Sequence, residues 1–524
     1  MSGDARVMDQ ALGMGALRVA EVLGALASAA DLANGFAFGK VLRTSILASR
    51  LAVLAGLDDE VVAESYFLSQ LRYLGCTSFA HEEGHRYGAG DDVALRHTMA
   101  MVDGADKVGA LSAMWSGFAP GVGRLAKAAG IARLVTDGAV NRHANAQCNG
   151  AMALSRIAGM DERLVSRLEA ILERWDGLGA PRRLEGEGIP IATRIHNFAD
   201  VVEIAHHRGG LELAREVVAK RRGGQLDPAV CDTFLKHADT LDRDLSTSTL
   251  WEDFLAAEPA SPRVLDEGRL DGVTRALGYF ADLKSPWLLG HSRRVSELAE
   301  KAGEALGLPA RDREILRCSG HLHDLGRVAV PTRIWDREGP LGALEWAQVK
   351  LHTQHTEQIL SLSPVLAPLC SIACAAHEEP RGAGYHRRLR EGQLDLLAQV
   401  LHAADAVAAM GEARPHRTAL GRDAIVKALR ADVADGRFDR RTAEVVLEVA
   451  GLVVTARRDT ATLSEREREV LIWVARGKTN KEIGIILGIS PKTVQHHVAH
   501  VYDKIGVSSR AGAAIYAMEQ RLIG

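Results

Sequence analysis

Residues 291–326 read HSRRVSELAEKAGEALGLPARDREILRCSGHLHDLG. Val295, Leu298, Ala299, Ala302 and Leu306 recur at helical spacing, and Ile315, Cys318, Leu322 and Leu325 do the same. The stretch therefore predicts two amphipathic helices. His291 opens the first, and His323-Asp324 falls inside the helical run Ile315 to Val328. Beyond it, His352, His377 and Asp405 each stand within or beside an apolar helical segment. Imidazoles combined with carboxylates suit zinc, manganese or iron rather than calcium. An adjacent His-Asp pair lets the carboxylate bridge two ions while the imidazole binds one, and two such ions activate a water and clamp a phosphoryl oxygen. A lone histidine is more often core or surface than ligand; the ordered set carries this reading.

The same pattern recurs, degraded, in the first half of the chain. Gly39-Lys40 matches Gly290-His291 and Leu74-Gly75 matches Leu325-Gly326, both at an offset of 251 residues. Further on the offset is 205: Glu173-Arg-Trp-Asp-Gly-Leu-Gly-Ala-Pro181 matches Glu378-Glu-Pro-Arg-Gly-Ala-Gly-Tyr-His386, and Ala199-Asp200 matches Ala404-Asp405. The first copy thus carries about 46 extra residues in its middle. Its ligand positions hold Lys40 for the first histidine, Arg72-Tyr73 for His-Asp and Ile171-Leu172 where paired histidines would fall, which leaves His143 and Asp200. Two ligands cannot build a metal site. His81, Glu82, Glu83 and His85, in the extra segment, are expected to form a solvated polar loop.

The composition is that of a soluble protein: 524 residues, 47% hydrophobic, 25% charged and only 5% aromatic, which favours helix over sheet. A net charge of -3 provides no global attraction to nucleic acid or lipid, so any such site is local. The six cysteines are scattered without a C-x-x-C pair, which fits a reducing cytoplasm, and Cys370 and Cys374 are expected to pack in the core. No run reaches the roughly 20 apolar residues of a membrane span. Linkers are expected around residues 256–263 and 455–462. The predicted class is all-α: two helical domains over 1–255 and 265–452, then a small C-terminal unit over 460–524.

In that unit Ser464-Glu465-Arg466-Glu467 is a capping box, Val470, Leu471 and Val474 share one face, and Gly477 ends the helix. A second helix starts at Thr479-Asn480-Lys481-Glu482-Ile483, with Ile486-Leu487 on its buried side. Gly488-Ile489-Ser490 makes the turn, Ser490 caps a third helix and Pro491 sits at its first position. Val494, Val498 and Val501 face inward, whereas Lys492, Gln495, His496 and Ala499 face out, a helix-turn-helix arrangement. From Thr462 to Gly524 there are nine Lys/Arg against six Asp/Glu, a local excess of positive charge that supports phosphate contact.

The series H…HD…H…H…D, with Gly384-Tyr385 and Arg414-Pro415-His416-Arg417 behind it, resembles the HD-GYP group of HD-domain phosphohydrolases over roughly Gly272 to Leu452. The resemblance implies a helical domain that binds two or three metals and hydrolyses cyclic dinucleotides, chiefly cyclic di-GMP. Position by position it makes His291, His323, Asp324, His352, His377 and Asp405 the metal ligands, with Asp324 bridging. Asp324 and Arg327 become the candidate catalytic residues, Arg327 standing where the group has lysine. The sequence departs from the group at four further points. The paired histidines read Ala376-His377, Gly-Tyr-Pro reads Gly384-Tyr385-His386, and Arg381 replaces an acidic residue. Trp287 stands where members with three metals have glutamate. One or two divalent transition ions (iron, manganese or zinc) are therefore expected, with the second site one ligand short and His386 the candidate to complete it.

LSEREREVL, GKTNKEIGIILGIS, PKTVQHHVAHVYDKIGV and SSR, between Leu463 and Ala513, closely resemble the LuxR-type DNA-binding domain. The resemblance implies a four-helix fold whose third helix enters the major groove. Gln495 and His496 would then read base edges while Lys481, Lys492 and Thr493 hold phosphates, and a fourth helix, Ser509 to Ile523, would form a homodimer surface. Together these features predict a cytoplasmic, DNA-binding transcriptional regulator, with no membrane partner, whose second copy senses or hydrolyses a phosphorylated ligand, chiefly a cyclic dinucleotide. The alternatives are a phosphodiesterase with an accessory DNA-binding domain and an inert scaffold for dimerisation. The degenerate first copy is expected to serve dimerisation or regulation.

Overall fold

The computed structural model describes residues 18–86, 90–119, 121–136, 139–246, 248–259, 267–363, 366–453 and 463–505, with residues 510, 513, 516, 517 and 522 beyond them. The expected linker at 455–462, part of that at 256–263 and most of the expected fourth C-terminal helix lie outside the described residues. Among the described residues there is no strand, only isolated bridges such as Arg414 with Arg417. The chain divides into two compact units, Met1–Leu452 and Val453–Gly524. No helix among the described residues is long and apolar enough to cross a membrane.

The larger unit contains both copies. In the first, the framework helices are α1 (Val19–Ala33), α2 (Lys40–Leu54), α3 (Asp59–Leu71), α4 (Ala139–Ile157) and α5 (Ile191–Arg221), the last broken at Gly209-Gly210. In the second they are α6 (Glu267–Asp282), α7 (His291–Ala305), α8 (Ala310–Leu322), α9 (Ala343–Leu360) and α10 (Leu396–Met410). The repeat offsets recur as repeated geometry. Gly39 and Gly290 cap α2 and α7 at φ 87° and 76°, a left-handed conformation that glycine adopts without strain. Asp31 accepts the Val41 amide as Asp282 accepts the Ser292 amide. Burial pushes both carboxyls up, to about 8 for Asp31 and about 6 for Asp282. Glu173 accepts the amides of Arg182 and Leu184; Glu378 accepts those of Arg387 and Leu389. A Cβ on Gly326 would lie 2.0 Å from the His352 carbonyl oxygen, and one on Gly75 would lie 1.8 Å from that of Gln147.

That last pair corrects the register of the first copy. Gln147, not His143, occupies the place of His352. The His143 ring instead lies 3.2 Å from Glu83 and edge-on to Phe79. The extra segment also departs from the expected solvated loop. Residues Glu82–Arg86 form a π-helical turn, and Glu83 is buried against Arg96 at 2.6 Å. Arg96 and Lys284 both contact Asp92, which also accepts the Thr332 amide, so a buried polar network joins the insert to the second copy. Burying these charges is tolerable because each is paired.

The smaller unit is built from α11 (Glu465–Ala475), α12 (Asn480–Leu487) and α13 (Pro491–Ile505). Its core comprises Val470, Leu471, Val474, Ile483, Val494 and Val501, with Leu487 and Val498 partly buried against it. Capping boxes at Ser464/Glu467 and Thr479/Glu482 start α11 and α12. Ile486 departs from expectation: it is 44% exposed, because Ile483 and Gly484 take the buried face of this short helix. A Cβ at Gly484 would lie 2.7 Å from the Ile489 carbonyl oxygen, which keeps the turn tight.

Candidate functional site

The sequence places His323-Asp324 inside one continuous helix; the structure breaks it there. α8 ends at Leu322, Asp324 has φ -106° and ψ 13°, and a 3-10 turn runs from Leu325 to Ala329. The close approach of Gly326 to the His352 backbone holds this tighter turn against α9. The break lets both oxygens of Asp324 face donors from other helices. His291 at the start of α7, His352 on α9 and Asp405 on α10 converge on it, together with His377 from the turn after the helix Ala367–Ala373.

The six expected ligands form two groups that share Asp324. Asp324 Oδ2 lies 2.9 Å from His323 Nε2 and 3.3 Å from His291 Nε2, and Asp405 Oδ1 is 3.2 Å from His291 Nε2. Asp324 Oδ1 lies 3.0 Å from His352 Nε2 and 3.2 Å from His377 Nε2. Nε2 of His291, His323 and His352, Oδ2 of Asp324 and Oδ1 of Asp405 are buried and, among the described residues, approach charged neighbours but make no aligned hydrogen bond. Buried polar atoms normally find partners, so four such atoms in the first group, with His352 Nε2 in the second, fit divalent ions. The opposite ring nitrogens are fixed: His323 Nδ1 against the Gly320 carbonyl at 2.9 Å, His352 Nδ1 against the Val349 carbonyl at 2.5 Å, and His291 Nδ1 against Glu412 at 3.0 Å. These contacts orient the rings as metal-ligating imidazoles require.

Burial lowers the basicity of His291 and His323, yet the surrounding carboxylates outweigh it and raise their pKa values to about 10 and about 9. Burial brings His352 down to about 4. Asp324 and Asp405 titrate well below the usual carboxylate range: burial opposes this, but Arg327 and the histidines prevail at Asp324 and the histidines at Asp405.

Arg327 Nη2 lies 2.6 Å from Asp324 Oδ2, and its guanidinium sits 5.2 Å from the centre of the Trp335 ring. Its Nε and Nη1 are buried without partners among the described residues. Tyr385 stacks on His377 at 5.0 Å and meets His352 edge-on, so the Gly-Tyr motif orients two ligands. His386 does not complete the second site. It contacts Thr353 at 2.9 Å and Glu357 at 2.6 Å, while Ala376 is fully buried. A cleft of about 720 Å³ opens onto the donor set, lined by Trp287, Arg327, Trp335, Trp346, His377, Tyr385, Asp405, Arg414 and Arg417 among others.

Sequence reasoning missed Glu412 and Trp335. Glu412 holds His291 and is itself held by Arg294 and Arg414. Arg417 donates to the Ala409, Met410 and Glu412 carbonyls at the end of α10. The Arg414-to-Arg417 motif was the signal, since two arginines there need acceptors.

In the first copy the corresponding positions are internally neutralised. The Lys40 ammonium and the Tyr73 hydroxyl both donate to Asp200, and Arg72 donates to Gln147 at 3.3 Å. Leu172 takes the place of His377. In the smaller unit Lys481, Lys492, Thr493, Gln495 and His496 are all exposed. Four of them ride on α13; Lys481 stands in the first turn of α12. The Thr493 amide bonds to Ser490 Oγ at 3.1 Å as part of the cap.

Residues 276–442 match the HD domain family, and residues 461–517 match the bacterial regulatory proteins of the luxR family. The chain is 26% identical over 414 residues to 3'3'-cGAMP-specific phosphodiesterase 3 of Vibrio cholerae, across 77% of this chain and 88% of that protein. It is 32% identical over 129 residues to a cyclic di-GMP phosphodiesterase of Thermotoga maritima, across 24% of this chain and 35% of that one. To the transcriptional regulatory protein LiaR of Bacillus subtilis it is 39% identical over 102 residues, 18% of this chain and 48% of that one. Among solved structures, a cyclic GMP-AMP specific phosphodiesterase of V. cholerae shares the fold at a TM-score of 0.58 and 22% identity, over 84% of this chain and 99% of that one. The chain carries an HD domain and, C-terminal to it, a LuxR-type helix-turn-helix domain.

Proposed function

We propose that this chain is a transcriptional regulator whose second copy binds one or two divalent transition ions and recognises a cyclic dinucleotide, and whose C-terminal unit binds double-stranded DNA. The observation that carries the reading is Asp324, whose two oxygens face two separate donor groups. His291, His323 and Asp405 would complete one site; His352 and His377 would complete the other. In such a donor set divalent ions supply activation of a water and neutralisation of phosphoryl charge. Arg327 has Nη1 free for a phosphoryl oxygen, and Trp335, Trp287 and Tyr385 offer ring faces for bases in a cleft of about 720 Å³. The size suits a dinucleotide-sized ligand. The relatives that act on 3'3'-cGAMP and cyclic di-GMP support this class of ligand.

On the DNA side, Gln495 and His496 read base edges, and Lys481, Lys492 and Thr493 hold phosphates. A homodimer, which paired half-sites require, completes the proposal. The test is metal analysis of the full chain, followed by binding and hydrolysis assays with 3'3'-cGAMP and cyclic di-GMP in manganese or iron. Asp324→Asn should lose metal from the Asp324 site, and turnover should fall at least about a hundredfold, equivalent to roughly 2.7 kcal/mol. A metal-free wild type that binds neither nucleotide would refute the reading of the second copy.

A further inference from the structure

Away from Asp324, where the insert of the first copy meets the second copy, three more metal-binding side chains converge. His81 and His85 stand one turn apart at the Glu82–Arg86 π-helical segment, and Asp336 follows the short helix Thr332–Trp335. His81 Nδ1 lies 2.7 Å and His85 Nε2 3.0 Å from the same oxygen, Asp336 Oδ2. The two rings are 4.7 Å apart, and the three donor atoms all lie within 4.8 Å of one another. We propose that His81, His85 and Asp336 form a further transition-metal site, of the kind that takes zinc, which fastens the insert to the wall of the cleft.

Three observations support it. The donor chemistry is two imidazoles and a carboxylate, a zinc-type set that leaves a fourth position for water. Tetrahedral bonds to zinc put ligand atoms about 3.3 Å apart, so the present 2.7 and 3.0 Å separations need only a small outward shift. The carboxylate is pre-oriented: Asp336 is buried and its Oδ1 accepts the Ser285 hydroxyl, which leaves Oδ2 for the histidines. Such outer contacts are what fix a metal-binding carboxylate. The imidazoles, by contrast, are about 40% exposed, so an ion can enter from solvent.

The position gives the site its consequence. Asp336 adjoins Trp335, whose ring covers Arg327, and Ser285 stands two residues before Trp287. Both tryptophans line the cleft. An ion on His81, His85 and Asp336 would therefore tie the insert to both aromatic walls.

The experiment uses the full chain, stripped with a chelator and titrated with zinc alone. Asp324→Asn should retain one zinc equivalent, and that equivalent should disappear in Asp324→Asn/His81→Ala/His85→Ala. Zinc should raise the Tm of the first variant and not of the second. Asp336→Asn keeps an acceptor for Ser285, guards against misfolding, and should lose the same equivalent in the Asp324→Asn background. Equal zinc content with and without the two histidines, or no zinc at all in Asp324→Asn, would overturn the proposal.

Discussion

Lys40→Ala tests whether an internal ion pair holds the first copy together at the place where the second copy gathers its candidate metal ligands. Lys40 occupies the position of His291 and Asp200 that of Asp405. The Lys40 ammonium is 3% exposed and Asp200 14%, and the Tyr73 hydroxyl shares the carboxylate. Burial works against the charge on Lys40, but Asp200 prevails and keeps it protonated; Asp200 is correspondingly held down at about 2. Removing one partner of such a buried pair strands the other charge and costs about 3–5 kcal/mol. Against a total stability of about 5–15 kcal/mol, that is a large fraction. Denaturant unfolding of the full chain, followed by tryptophan fluorescence, reads the loss as a lower midpoint. Lys40→Met/Asp200→Asn removes both charges and should recover more than half of it. Arg156→Ala, which breaks the exposed Arg156–Glu162 pair, should leave the midpoint in place. If Lys40→Ala unfolds within about 0.5 kcal/mol of wild type, the buried pair does not hold the first copy together.

Gly326→Ala would drive a Cβ to 2.0 Å from the His352 carbonyl oxygen; it should cost about 1–3 kcal/mol by overpacking and lower metal content, since the same contact positions Asp324. Asp31, raised from 3.8 to about 8 by burial, binds an extra proton in the folded state, so its contribution is complete below about pH 4 and gone once the pH passes about 8. Asp31→Asn should accordingly flatten the fall in Tm between those limits, and an unchanged pH profile would count against it. Lys492→Ala should weaken DNA binding across sequences and reduce the salt slope by about 1, whereas Gln495→Ala should change the preference between sites; fluorescence anisotropy at several salt concentrations separates the two.

What was legible in the sequence was local. Helical spacing, the capping boxes at Ser464 and Thr479, and Pro491 at a helix start all depend on neighbours within one or two turns, and the structure shows each of them. The repeat was legible because its glycines meet backbone: Gly75 and Gly326 admit no side chain. The rest depended on distance in sequence. Glu412 meets His291 across 121 residues; Arg414 nearby calls for an acceptor, but only the fold brings the imidazole to it. His143 looked like a surviving ligand by residue type, but one helical turn separates it from Gln147, the position that faces Gly75. His386 looked like a spare ligand beside Gly384-Tyr385, yet Glu357 from α9 claims it. Ile486 misled because an eight-residue helix has room for only a narrow buried face, and Ile483 already fills it.

The two copies separate the residues that build the scaffold from those that give it chemistry. Scaffold positions repeat their contacts: the left-handed glycine caps, the Asp31 and Asp282 clasps on the next helix, and the Glu173 and Glu378 loop anchors. Left-handed Arg183 and Arg388, at φ 56° and 51°, repeat too. Ligand positions do not: Lys, Arg, Tyr, Gln and Leu replace five of the six donors. The replacements are not arbitrary, because a carboxylate buried at the Asp200 position needs a cation whether or not an ion is bound. Lys40 provides one within the chain, so that site is neutralised without metal. The second copy keeps five buried ligand atoms without an aligned hydrogen bond among the described residues, a donor set that fits an ion where the first copy has its own cation. The Lys40–Asp200 site of the first copy then keeps its shape without an ion, and the polar network through Asp92, Lys284 and Thr332 joins that copy to the one that carries the candidate ligands.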